Sequence, residues 1–151
     1  MTAGGSAPIT QKLVSFIVDT RPESVPPSTA HFAKRVLLDT IGCSLASAYR
    51  PIGKVLCDYV RETGAGPATS TVIGCGFKTA APLAAMINGA TSNSLDYDEG
   101  FHVVTHTIPA LLALAERQNS TGRDVLDALV IGYEAGAKFT RLIDEIGRAH
   151  V

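Results

Sequence analysis

Apolar residues recur at helical spacing along most of this chain, in blocks divided by proline- and glycine-rich breaks. The first block sets Leu13, Phe16 and Ile17 on one face behind Thr10, whose hydroxyl can cap a short helix. Arg21 to Pro27 then carries three prolines and cannot continue that helix. Ser28 is the expected cap of a longer one, with Ala30, Ala33, Val36, Leu37, Thr40, Ile41 and Leu45 on one side. Small residues at Gly42, Cys43, Ser44, Ala46 and Ser47 leave room for a neighbouring helix to lie close. Pro51 suits the first turn of a third helix with Val55, Leu56, Tyr59 and Val60 as its core face, ending at Gly64.

The stretch that follows, from Gly64 to Gly76, reads as a loop with one short extended piece over Ser70 to Ile73. Gly64, Gly66, Gly74 and Gly76 match neither phosphate-binding glycine pattern, so they predict a flexible turn. Thr79 to Leu95 predicts a buried, alanine-dense helix with Leu83, Met86, Ile87 and Leu95 as its larger side chains. Pro109 is the expected start of the next helix. Ser120 or Thr121 caps the last, which carries Val125, Leu126, Leu129, Val130, Tyr133, Ala137 and Leu142 to about Ile146. Helix follows helix through short links, with no internal repeat. The predicted fold class is an all-α helical bundle.

Composition narrows the functional classes. With 46% hydrophobic and 18% charged residues, 151 residues can supply the core of one domain. The net charge of -1 and the scattered Lys and Arg residues argue against a nucleic-acid or anionic-membrane partner. No apolar run approaches the ~20 residues of a membrane span, and the first residues lack the basic start and apolar stretch of a secretory leader. Cys43, Cys57 and Cys75 form an odd set without a CxxC pair, which predicts buried thiols rather than a disulfide framework or thiolate metal site. These features together predict a cytoplasmic protein. Residues 1–9 are expected to fray, and 10–151 to form one helical domain. Its last residues, Gly147 to Val151, close without a cap or polar tail, which predicts that the domain is incomplete at its C-terminus.

One segment breaks the apolar pattern. Asp96, Asp98, Glu99, His102 and His106 fall within eleven positions, in NGATSNSLDYDEGFHVVTHTIP. Carboxylates beside imidazoles make acid/base pairs whose proton affinities burial can tune toward neutrality. A loop between two helices can bring Asp96 and His106 to one cavity, and the start of the helix at Pro109 would favour an anionic substrate. The residue types also allow a solvated acidic turn with incidental histidines. A metal site is the third reading, since His102 and His106 stand four apart, but HxxxH without HExxH is a weak signal.

Beyond residue chemistry, five phrases carry a resemblance: AKRVLLDTIGCSLA (33–46), AAMINGATSNSLDYDEG (84–100), HxxxH at 102–106, PALLALAE (109–116) and GYEAGAKF (132–139). From His31 to His150 the chain resembles the N-terminal helical region of the MmgE/PrpD family. That family includes 2-methylcitrate dehydratases, cis-aconitate decarboxylases and an epimerase branch. The resemblance implies a lyase acting on a small di- or tricarboxylate, by proton transfer next to a carboxylate with loss of water or carbon dioxide. It implies no iron–sulfur cluster or other cofactor, no metal, and a homodimer as the assembly. Asp96 matches the leading Asp of the family's NGxxxHxLDFDD phrase, and His106 the His of its His-Pro-Ser phrase; both would act on protons or orient substrate. Asn93, Gly100 and His102 would take substrate-binding places. Asn93 stands where the family has His, Gly100 where it has Thr, and Thr107-Ile108 where it has Pro-Ser, departures that imply a shifted substrate. Family enzymes run on into a later helical part and an α/β domain with cationic substrate ligands, so a missing C-terminal region or partner chain is implied. The alternative is a non-catalytic helical interaction module, with 79–95 and 123–142 as its contact surfaces.

Overall fold

The computed structural model describes residues 8–21, 23, 25–64, 66–97 and 102–148, with side chains described up to 140. Among these residues the chain forms six helices, α1 (Ile9–Asp19), α2 (Pro27–Ala48), α3 (Pro51–Thr63), α4 (Ala81–Asn93), α5 (Val103–Gln118) and α6 (Gly122–Arg148), and one small hairpin, β1 (Ser70–Val72) and β2 (Phe77–Thr79). The fold is all-α with a minor two-stranded sheet, as the periodicity predicts.

Proline, not a hydroxyl side chain, sets the first two helix starts. Pro8 and Pro26 hold the cap positions, so Thr10 and Ser28 lie inside α1 and α2 and cap nothing. Pro27 and Pro51 occupy first-turn sites, where the absent N–H removes a donor that would have no partner. At α6 the predicted cap holds. Thr121 donates its amide and hydroxyl to Asp124 Oδ2, each at 2.8 Å, and accepts the Asp124 amide at 3.2 Å.

α4 is the central element, packed on α2, α3, α5 and the hairpin. Its alanines make this possible: Ala84 and Ile87 are fully buried, and the carbonyl of Asn88 accepts a 3.4 Å hydrogen bond from Ser44 of α2. The small stripe Cys43, Ser44, Ser47 and Ala48 is buried, whereas Leu45 is exposed. The predicted close-approach surface of α2 holds at Cys43, Ser44 and Ser47, whereas Gly42 and Ala46 are exposed and Leu45 is displaced from the predicted core face. α3 turns likewise. Gly53, Cys57 and Val60 face inward, leaving Val55 and Tyr59 of the predicted face 64% and 53% exposed. The reason is steric: a Cβ at Gly53 would stand 2.6 Å from the Ser47 carbonyl oxygen, so the helix end of α2 occupies that side.

Side chains of α5 enter both apolar cores. Val104 and Ile108 join Ala33 and Leu129 in one, and Ala113 joins Cys57, Val60, Val72, Ala84 and Ile87 in the other. Burial of Ile87 and Ile108 stabilises the fold by roughly 2–3 kcal/mol each. That burial explains why α5 begins six residues before Pro109, against expectation. Val103, Val104 and Thr105 start helices poorly as a peptide, but all three are buried here and form the first turn. Pro109 sits inside the helix and is buried.

The extended piece predicted at 70–73 is the first strand of an antiparallel hairpin pairing Ser70 with Thr79 and Val72 with Phe77. Gly74 and Gly76 take φ of 78° and 71° in its turn, a left-handed conformation that favours glycine. Side chains from the helices fix the hairpin in place. Ser70 donates to the Ala113 carbonyl at 2.7 Å, and Glu116 Oε2 accepts the Thr71 amide and hydroxyl at 3.0 and 2.8 Å and pairs with Lys78 at 3.0 Å.

The expectation of three free thiols is corrected. Cys57 of α3 and Cys75 of the hairpin turn are joined by a disulfide, their Cα atoms 6.9 Å apart, and Cys43 is buried outside that bond. Local spacing rules miss this bond because tertiary packing of α3 against the hairpin creates it. Closing an 18-residue separation removes unfolded-chain freedom that contributes about 3 kcal/mol in the loop-entropy account.

Candidate functional site

The acid–histidine segment is the connection between α4 and α5. α4 ends at Asn93, and its last turn is tied down by Ser94, which donates to Ser47 Oγ at 2.7 Å and to the Thr91 carbonyl at 3.1 Å. The backbone then reverses. The Asp96 amide bonds the Asn93 carbonyl at 3.1 Å, and Asp96 adopts φ 56°, in the left-handed region. Asp tolerates that region better than most residues, yet a Cβ there still costs about 1 kcal/mol.

The far end of the connection repeats the device. His102 has φ 54° and occupies the cap position of α5, where its side chain caps no amide. Its carbonyl accepts the Thr105 hydroxyl at 2.9 Å. Thr105 is buried, so the next residue, His106, falls on the open side of the first turn and is exposed. Two residues that carry side chains, both in left-handed backbone, thus bracket the segment. Such outliers concentrate where surrounding structure over-determines a local geometry, functional sites among them.

α4 and α5 approach closely where Gly89 meets the Thr105 carbonyl: a Cβ at 89 would lie 3.3 Å from that oxygen. Pro109 explains why this carbonyl is available, since it lacks the N–H that would take the i−4 bond from Thr105. Asn93 lies one turn beyond Gly89 on the same helix face, so it stands beside the start of α5. Along the chain, Asn93 closes α4, Asp96 lies in the segment leaving it, His102 holds the cap position of α5 and His106 falls in its first turn. Asn93, Asp96, His102 and His106 are all exposed. Asp98, Glu99 and Gly100 lie outside the described residues, so the Gly100 expectation does too.

One expectation is corrected by this geometry. The helix start that would favour an anion is at Val103, not Pro109, which places His106 within the first turn. An apolar cavity of about 340 Å³ lies between α1, α2 and α6, lined by Phe16, Phe32, Ala33, Leu129 and Tyr133. Among the described residues, no group of three or more His, Cys, Asp or Glu side chains lies close enough to hold a metal ion. No helix among them is long and apolar enough to cross a membrane. Sequence reasoning missed Asn88, the first residue of the quoted segment. It is buried, its Oδ1 accepts the Ile73 amide and its Nδ2 donates to the Thr71 carbonyl, each at 2.9 Å. A polar amide inside an alanine-rich helix was the available signal, because such a group is buried only when bonded.

The comparisons with known proteins agree with the resemblance. The model of the MmgE/PrpD N-terminal domain matches residues 11–151. The chain is 29% identical to the cis-aconitate decarboxylase-like protein oryM of Aspergillus oryzae, over 91% of this chain and 32% of that protein. It is 27% identical to the cis-aconitate decarboxylase of Aspergillus terreus, over 89% of this chain and 29% of the relative. For the human cis-aconitate decarboxylase the identity is 28%, over 75% of this chain and 25% of the relative. The chain spans about a third or less of the length of these relatives. No solved structure matches. The chain belongs to the MmgE/PrpD family, through its N-terminal helical domain.

Proposed function

We propose that this MmgE/PrpD chain supplies the acid/base residues of a lyase acting on a small di- or tricarboxylate such as cis-aconitate or 2-methylcitrate. The step is proton transfer at a carbon next to a carboxylate, with loss of water or carbon dioxide. Asp96 takes or returns the proton, and His106 acts as its partner or orients the substrate. The positive end of the α5 helix dipole favours one substrate carboxylate, and Asn93, Gly100 and His102 provide further contacts. No metal or cofactor is invoked.

The observation that carries this reading is the α4–α5 connection, where left-handed backbone at Asp96 and His102 brackets the one segment dense in acids and imidazoles. The names of the relatives support the reaction class. Asp96 and His106 are exposed, so this reading requires water exclusion and carboxylate-binding cations from outside the domain. A following region of the chain, a partner chain or a second copy in a homodimer would supply them, in a cytoplasmic setting. The test is turnover of cis-aconitate and of 2-methylcitrate by the complete enzyme. H106A and D96N are each expected to abolish it; unchanged rates in both remove the proposed roles.

Exposed Leu38, Tyr49 and Val55 favour a second reading, a helical module that works by contact. It moves the contact surface from α4, which is central in the fold, to the outer faces of α2 and α3. Light scattering separates the two: a monodisperse monomer counts against the module.

A further inference from the structure

We propose that the Cys57–Cys75 pair is a thiol–disulfide exchange site for a small thiol that carries carboxylates. The disulfide forms part of the wall of an open cavity of about 700 Å³, between the end of α2, α3 and the hairpin turn, together with Tyr49, Lys54, Asp58 and Arg61. A bond made only for stability sits behind packed side chains. This one is reachable from one side, because Cys75 is half-buried whereas Cys57 is 3% exposed. Gly76, the next residue, has open space where a Cβ would be, so a group attached at Cys75 has room.

The charges give the direction of exchange. Lys54 and Arg61 stand three residues before and four after Cys57 on α3, the spacings that share a helix face. Arg61 also donates to the Cys75 carbonyl at 3.2 Å, lies over the Phe77 ring at 4.8 Å and pairs with Asp58 at 3.3 Å, which holds its guanidinium at this junction. With Asp58 set against Lys54 and Arg61, this wall keeps one net positive charge, which favours the Cys57 thiolate as leaving group and draws in a thiol bearing carboxylates. The incoming thiolate sulfur bonds Cys75 Sγ, the Sγ–Sγ bond breaks, and the electron pair leaves on Cys57 Sγ. A second small thiol then displaces Cys75, releasing the small disulfide and leaving both cysteines reduced. Two thiols thereby pass two electrons and two protons to the pair, and an oxidised small disulfide runs the sequence backward.

The test uses the full chain carrying C43S, equilibrated in buffers of graded reduced and oxidised glutathione, quenched in acid and weighed intact. The expected result is a species two hydrogens lighter at the oxidised end, both thiols free at the reduced end, and a single glutathione adduct on Cys75 between them. K54Q is expected to slow exchange with neutral 2-mercaptoethanol through the poorer leaving group alone, and exchange with glutathione by roughly threefold more, the effect of one nearby charge in water. A pair never oxidised in any buffer overturns the proposal, as does a pair that stays oxidised throughout without an adduct. Equal slowing with both thiols, or none with either, overturns the carboxylate preference.

Discussion

The side-chain amide of Asn88 donates to the carbonyl of Thr71 at 2.9 Å and so bonds the centre of α4 to the first strand of the hairpin. Its oxygen closes a second bond to the Ile73 amide. Asn88→Ala leaves both backbone groups without these partners in a partly buried position, which costs about 2–4 kcal/mol. Asn88→Asp sets a carboxylate against the Thr71 carbonyl and is expected to destabilise as well. Urea unfolding checks both, and a shift in midpoint near zero for Asn88→Ala would sink this account.

Gly53 offers a sharper steric case. Alanine is normally the better helix former by ~1 kcal/mol, so a solvent-facing Gly→Ala change would stabilise α3. Here the added methyl meets the backbone carbonyls of Ser47 and Ala48, neither of which is a flexible side chain. Gly53→Ala is therefore expected to lower stability by about 2 kcal/mol or more. Thermal melting of the variant beside wild type decides the sign.

Glu116 links stability to pH. Burial alone would raise its pKa, but hydrogen bonds from the Thr71 hydroxyl, Lys78 and the Thr71 amide, with the Lys78 charge, lower it below the ordinary 4.5. A carboxylate with a depressed folded pKa stabilises fully above its unfolded value and loses that contribution as pH falls through the folded one. The melting-temperature gap between wild type and Glu116→Gln is thus expected at neutral pH and to close below the carboxylate range. Its size is that of a surface pair and shrinks with added salt.

How much of this was legible in the sequence follows from what each signal depends on. The proline break at 21–27, the small stripe at 42–47 and the Thr121–Asp124 cap are local, and reading them needed only neighbouring residues. The charged segment at 96–106 stood out because the flanking helices are apolar. The start of α5 was not legible: Val104 gains more from the core with Ala33 and Leu129 than its helix propensity loses, and Val103 is buried against Gly136 of α6. Nor was the face of α3, where apolar residues point both ways and Gly53 alone marks the close contact. The pairing of Cys57 with Cys75 depends on a hairpin whose second strand the composition scarcely signals.

Asp96 separates site from scaffold. Its φ of 56° means a glycine there would remove the steric cost of the Cβ while adding chain freedom in the unfolded state, two effects that nearly cancel. Asp96→Gly is expected to stay within about 1 kcal/mol of wild type, and Asp96→Val, branched at a left-handed position, to lose about 1–2 kcal/mol. Turnover by the complete enzyme should follow the carboxylate instead: lost in Asp96→Gly although the fold is kept. A glycine variant that folds and retains full turnover would mean that the left-handed turn serves the chain path alone, and that the proton moves through another group.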